Sequence, residues 1–290
     1  MKHGSEYAKR LKKLFQDMER KYGKPEPTDQ SDPIEQLMLG ILAECTSRQK
    51  AEGALKKIVQ QMVDLNELRV TPVNELVQTM GDGFPLAESK ALRLVQALNA
   101  VRMRQETMDL APLRQRGVRE AREYLESLEG VSPAAAADVV LHSLGGHAIP
   151  VDDLALYILR KDEIVEPNAD LRTVQNFLER NINASDALVF TELLNKYVMS
   201  KASRVPVEKL PELLYPESAQ PAEEKPAAAE QKETAPAESK ESKEEAASPA
   251  VEEEKKAERK KKTKSKASSA SARSKSTESP KKKETSGKKK

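Results

Sequence analysis

A chain of 290 residues with 49 basic and 47 acidic side chains, a net charge of +2 and a single cysteine excludes several protein classes. One cysteine rules out a disulfide framework and any multi-cysteine metal or iron–sulfur site, and no apolar run is long enough to span a membrane. The charged N-terminus lacks an apolar h-region, which predicts no signal peptide and an intracellular location: cytoplasm or nucleoid, or the nucleus if the source is eukaryotic.

From the N-terminus, the first strong helix signal is Asp32-Pro33-Ile34-Glu35, with Asp as N-cap, Pro at the first helical position and Glu at the third. Ile34, Leu37, Met38, Ile41 and Leu42 then mark one helical face, and Ala54, Leu55, Ile58, Val59 and Met62 repeat the pattern. A further helix is predicted to begin at Pro85 and to carry Leu94, Val95, Leu98 and Val101. Ala121, Tyr124, Leu125 and Leu128 form the face before a short turn, Glu129-Gly130-Val131-Ser132. Later helices are expected from Asp170 and from Ser185, and the spacing of Pro206, Pro211 and Pro216 predicts the end of folded structure. No alternating strand pattern and no fixed-period repeat is evident, so the body reads as all-α, a compact helical bundle.

Beyond residue 216 the composition changes. Residues 217–290 contain one Val and no Leu, Ile or aromatic side chain, which predicts a disordered tail. Residues 217–254 carry net −8 and residues 255–290 net +13, leaving the body at −3. A weakly acidic body is unusual for an autonomous DNA binder, whose affinity comes mostly from neutralised phosphates. The Lys-rich terminus, including Lys281, Lys282 and Lys283, could supply that attraction, or could serve only as a solubilising appendage.

The most informative stretch runs from Leu128 to Asp153. A glycine turn between two helices leaves backbone N–H groups free to hold a phosphate, although it could equally be a plain helical connection. Ser132-Pro133 supplies an N-cap and first turn for the next helix, and Ala134–Ala137 keep that helix slim for a ligand or for tight packing. Asp152 precedes an apolar run and reads either as a helix N-cap or as a catalytic carboxylate. Asp153 beside it could raise one pKa of the pair. His142 and His147 have no partners at metal-ligand spacing, and Cys45 reads as a small core residue.

This stretch resembles the helix-hairpin-helix DNA glycosylases of the endonuclease III type. Leu128, Gly130, Val131 and Ala136 match the hairpin, and Val151-Asp152 matches the carboxylate motif at the family's spacing without a gap. Ser31-Asp32-Pro33 and Ile41–Ser47 extend the likeness upstream, and it covers roughly residues 8–200. The resemblance implies a two-lobed helical fold: residues 30–146 as one lobe, residues 1–29 with 147–216 as the other, and the tail beyond. It implies double-stranded DNA, damaged or abasic, as the partner of a monomer in base excision repair, with a nucleotide flipped into the interlobe cleft. Asp152 would stabilise the cationic sugar and position water. Leu128, Gly130, Val131 and Ser132 would meet the DNA backbone, and Glu44 stands where the family inserts a glutamine. The departures are equally specific. Ala134 replaces the Schiff-base lysine, Ser132 the second hairpin glycine, and Met199 lies near where the first of four absent cluster cysteines would fall. The chain is therefore expected to need no cofactor or metal and to act, if it has chemistry, as a monofunctional glycosylase. The alternatives are a DNA binder without chemistry and a helical scaffold whose tail alone touches nucleic acid.

Overall fold

Side-chain caps set where half of the helices begin. In the computed structural model, which describes residues 4–25 and 30–214, Asp32, Ser47, Asp64, Ser132, Asp152 and Asp170 each accept a backbone N–H of the helix they open. The helices are α1 (Gly4–Tyr22), α2 (Pro33–Ala43), α3 (Arg48–Gln61), α4 (Leu65–Leu68), α5 (Val73–Met80), α6 (Ala87–Arg104), α7 (Val118–Glu126), α8 (Pro133–His142), α9 (Asp153–Lys161), α10 (Leu171–Asn181), α11 (Ala187–Ala202) and α12 (Leu210–Leu214). Short 3-10 turns lie at Ala111–Gln115, Ala184–Asp186 and Val207–Lys209. Among the described residues there is no strand, and no helix is long and apolar enough to cross a membrane. The fold is all-α.

Two apolar cores organise these helices. The first gathers α2, α3, α5, α6, α7 and α8 around Leu37, Leu42, Leu94, Leu98, Val139 and Val140, none of them measurably exposed. The second gathers α1, α9, α10, α11 and α12 around Leu11, Met18, Leu156, Phe190 and Leu193. Phe15 of α1 meets Phe190 of α11 edge to face with ring centres 5.3 Å apart, an arrangement worth about 1 kcal/mol beyond area burial. Helix α2 runs through the middle, in contact with both α3 and α8. A Cβ on Gly40 would come within 3.3 Å of both the Ala135 Cα and the Asp138 carboxylate. This close approach accounts for Ala135–Ala137, which are buried in the first core.

Two helix starts differ from the sequence expectation. The helix expected at Pro85 begins at Ala87, because Leu86 takes the left-handed conformation, φ +54°, and serves as its N-cap. The helix expected from Ser185 starts at Ala187 behind a 3-10 turn. The proline-spaced segment itself carries a helix, and the described residues end within it at Leu214. Pro211 falls in the first turn of α12, where its missing N–H costs nothing, and Leu210 and Leu214 are buried in the second core. Arg160 donates to the Leu214 carbonyl and so ties that helix to α9. Residues 217–290, including Lys281, Lys282 and Lys283, lie outside the described residues.

Candidate nucleic-acid interface

The site is built on the N-terminus of α9. Asp152 caps it: one carboxylate oxygen accepts the Ala155 N–H at 2.7 Å, and the other accepts the Cys45 N–H at 2.6 Å, from a residue 107 positions away. Cap and site residue are therefore the same group. Burial pushes the Asp152 pKa up, the Cys45 and Ala155 N–H groups pull it down, and the charges of Glu44 and Asp153 push it up again, with a net rise. Asp153, half-buried and without a hydrogen bond of its own among the described residues, is also raised, first by burial and then by Glu44.

Cys45 reaches Asp152 from a strained turn. Helix α2 ends in Ala43-Glu44-Cys45-Thr46, closed by the Thr46 N–H on the Ala43 carbonyl at 3.1 Å. Glu44 has φ −56° and ψ 133°, and Cys45 has φ +54°, the geometry of a type II turn with cysteine where glycine is usual. The Cys45 thiol is buried in the second core, and burial raises its pKa. The last carbonyls of α2 are covered by Lys90, whose ammonium donates to the Leu42 carbonyl at 3.0 Å and lies 4.7 Å from the centre of the Phe84 ring. Burial lowers the Lys90 pKa to about 8, against the pull of neighbouring negative groups.

The same turn grips the hairpin. Glu44 accepts two hydrogen bonds from the Arg93 guanidinium, at 2.6 and 2.7 Å, and a third from the Ser132 hydroxyl at 2.5 Å. Arg93 also donates to the Gly130 carbonyl at 3.0 Å. Two departures from the family pattern, Glu44 and Ser132, are thus bonded to each other. Glu44 is neither solvated nor free to insert into a helix, since its side chain is 15% exposed and fully engaged. Gly130 is required by packing as well as by its φ of +80°, because a Cβ there would lie 2.4 Å from the Arg93 carbonyl oxygen in α6. Leu128 is buried in the first core, so its side chain is not at the surface. Val131 and Ser132 are half-buried, and among the described residues the Gly130 and Ser132 N–H groups meet no acceptor. Those two amides are unpaired donors at the turn.

Beside Asp152 lies a cavity of about 80 Å³, lined by small residues including Gly40, Ala43, Ala134 and Ala155 and by Glu44, Arg48, Asp138, Thr191, Glu192 and Asn195. The polar wall formed by Asp138 and its partners was not singled out in the sequence. Asp138, on the same face of α8 as Ala134 one turn earlier, accepts from the Gln36 amide, lies 3.1 Å from His142 Nδ1 and 3.5 Å from Arg48. Burial opposes its charge, but the His142, Arg48 and Gln36 interactions prevail and hold its pKa below the usual carboxylate value. Asn195 crosses from α11 to donate to the Thr46 carbonyl at 3.3 Å and to accept the Arg48 N–H at 3.5 Å. One sequence signal could have found Asp138: it is a lone charge inside an otherwise apolar helix, and such residues are almost never buried unless paired.

Among the described residues no group of His, Cys, Asp or Glu is placed to hold a metal ion. A cysteine-ligated iron–sulfur cluster of the endonuclease III type does not fit this chain, whose one cysteine is committed to the α2 turn.

No protein-family model and no curated protein matches the chain. Solved structures do. A non-covalent endonuclease III–DNA complex aligns over 66% of this chain and 85% of that one, with 17% identity and a TM-score of 0.51. A trapped endonuclease III–DNA covalent intermediate has the same coverage and identity with a TM-score of 0.50. The Clostridium acetobutylicum 8-oxoguanine glycosylase/lyase bound to double-stranded DNA aligns over 69% of this chain and 70% of that one, with 16% identity and a TM-score of 0.50. At these identities the likeness is one of fold.

Proposed function

We propose that the protein binds double-stranded DNA in base excision repair, holding a backbone phosphate on the hairpin amides and presenting Asp152 to the neighbouring sugar. The observation that carries this reading is the continuous bonded path from Asp152 through the Cys45 N–H and Glu44 to Ser132 and Gly130. That path ties an amide pair and a carboxylate to one rigid turn, as an in-register grip on sugar and phosphate requires. The DNA-bound solved structures of the same fold support it.

Any chemistry at this site would be hydrolytic. Ala134 offers no amine for an imine, so base release would rest on Asp152 stabilising positive charge on the sugar and orienting water. A carboxylate has about four acceptor positions, so two remain after the Cys45 and Ala155 bonds. A second reading, a binder that has lost the chemistry, is favoured by the raised pKa of Asp152, which weakens its claim to a full negative charge.

Pro133→Glu tests the grip. Glutamate is favourable in a first helical turn, so α8 should persist, while the added charge sits where the phosphate would bind. Duplex affinity of the full chain should fall about tenfold with little change in stability. Unchanged affinity would leave the tail as the sole contact and overturn the reading. Release of any base from a panel of oxidised, alkylated, deaminated and mismatched duplexes would establish catalysis. A borohydride-trapped imine would contradict the monofunctional scheme.

A further inference from the structure

Asp152 is also held from the side away from Glu44. The chain crosses from one core to the other through residues 147–152, with Ala148 buried in the first core and Ile149 and Val151 in the second. This crossover is not helical, and among the described residues no backbone group of 147–151 bonds to another backbone group. Buried backbone groups need partners, and side chains of α10 supply them. The Ile149 N–H donates to Glu179 at 3.3 Å, and the Ile149 carbonyl accepts from the Gln175 amide at 3.4 Å. The same amide nitrogen donates at 3.3 Å to the carbonyl of Pro133, the first residue of the hairpin helix α8. Gln175 is fully buried, and its oxygen accepts from Arg122 of α7 at 3.1 Å. Arg122 also donates to Glu179 at 2.8 Å and to Glu126 at 3.0 Å, and these three side chains are largely buried.

We propose that Gln175 is a positioning residue: its amide fixes the hairpin relative to Asp152, so that phosphate grip and carboxylate fall in register. This rests on the DNA-binding reading above and adds the part that aligns it. Two carbonyls bonded to one nitrogen cannot drift apart. One belongs to the hairpin helix, and the other lies three residues before Asp152. The Cys45 N–H holds the far end of the crossover. Arg122 turns the Gln175 amide the right way round, since a guanidinium has only donors and must face the oxygen. Neither Gln175 nor Arg122 lines the cavity beside Asp152, so the role is exerted through the backbone they hold.

The test is duplex affinity of the full chain, with each variant fully folded by circular dichroism. Gln175→Met keeps the length of the side chain and removes its hydrogen bonds. It should weaken binding about fivefold, the scale of one lost hydrogen bond. Pro133→Glu, expected to cost about tenfold in the parent, should cost only about threefold in Gln175→Met, because a hairpin that has moved no longer seats the phosphate. Gln175→Glu keeps an acceptor for Arg122 but has no N–H, so it should bind no better than Gln175→Met. Phe15→Leu, which takes a ring from the second core and no bond from this network, should bind as the parent does. Parental affinity in Gln175→Met or Gln175→Glu, an undiminished Pro133→Glu penalty, or an equal loss in Phe15→Leu overturns the proposal while leaving DNA binding in place. Should Gln175→Met fail to fold, Arg122→Lys decides. A single ammonium does not reproduce the planar fork, so affinity should fall about threefold, and parental affinity overturns the proposal. Absence of binding by the parent chain overturns the reading beneath it.

Discussion

Asp138 and Asp152 stand on the same cavity, both in largely buried surroundings, and their pKa values move in opposite directions. Burial opposes ionisation in both. Asp138 has a guanidinium, an imidazole and a side-chain amide as partners, and these outweigh burial. Asp152 has two backbone N–H groups and two carboxylate neighbours, and burial wins. The neighbours, more than the depth, decide which way each pKa moves. One wall of the site is thus a paired carboxylate held below its ordinary pKa, and the other is a carboxyl group whose pKa is held above it.

The largest effect expected from breaking this contrast is on the anchored side. Asp138→Ala removes the partner of Arg48, leaves the Gln36 amide without its acceptor, and strips a buried histidine of its carboxylate. Losing one member of a buried pair costs about 3–5 kcal/mol, and the partial exposure of Arg48 places the expectation near the lower figure. Urea unfolding at neutral pH measures it. A loss under about 1 kcal/mol would mean that Arg48 is already satisfied by Glu52 and Glu192, and the anchor would then be dispensable.

The second expectation is one of sign. Asp138 has a folded pKa below its unfolded value of about 3.9, so its stabilisation is complete above about pH 4 and is lost as pH falls through the folded pKa. Asp152 has a folded pKa above that value, so stability is greatest below about pH 4 and declines as pH rises through the folded pKa. Relative to Asp138→Asn, the parent should gain stability as pH rises towards 4. Relative to Asp152→Asn, it should lose stability as pH rises above 4. Unfolding midpoints for the three chains between about pH 2.5 and 7, a range that brackets the reference value, separate the two slopes. Slopes of the same sign would show that the two carboxylates share one environment.

The sequence reveals these two residues unequally, for a physical reason. Asp152 is visible because an N-cap is a local device: it sits just before the apolar run of α9 and bonds three residues ahead. The all-helical fold is legible by the same local rules, through Asp32-Pro33, Ser132-Pro133 and Asp170 and the apolar spacing that follows each. Of the partners of Asp138 only His142, one turn on in α8, is local; Gln36 on α2, 102 residues away, and Arg48 on α3 meet it in a way no periodicity encodes. Glu44 and Ser132 read singly as two losses, whereas the fold bonds one to the other across 88 residues. Asp152's second bond also depends on a left-handed cysteine, at a position where sequence rules expect glycine or asparagine.

That cysteine gives the smallest and sharpest expectation. At an ordinary position, glycine is less stable than alanine by about 0.5–1 kcal/mol, because it loses more backbone entropy on folding. At φ +54° the order should invert, since an L side chain in the left-handed region costs roughly 1–2 kcal/mol and glycine avoids it. Both Cys45→Gly and Cys45→Ala lose the sulfur and its packing in the second core, so their difference isolates the backbone. Cys45→Gly should be the more stable of the two by about 0.5–1 kcal/mol in paired denaturation curves. If Cys45→Ala proves the more stable, the turn does not hold its left-handed form. The Cys45 N–H would then lose its fixed approach to Asp152, and the path joining carboxylate to hairpin would open at its first bond.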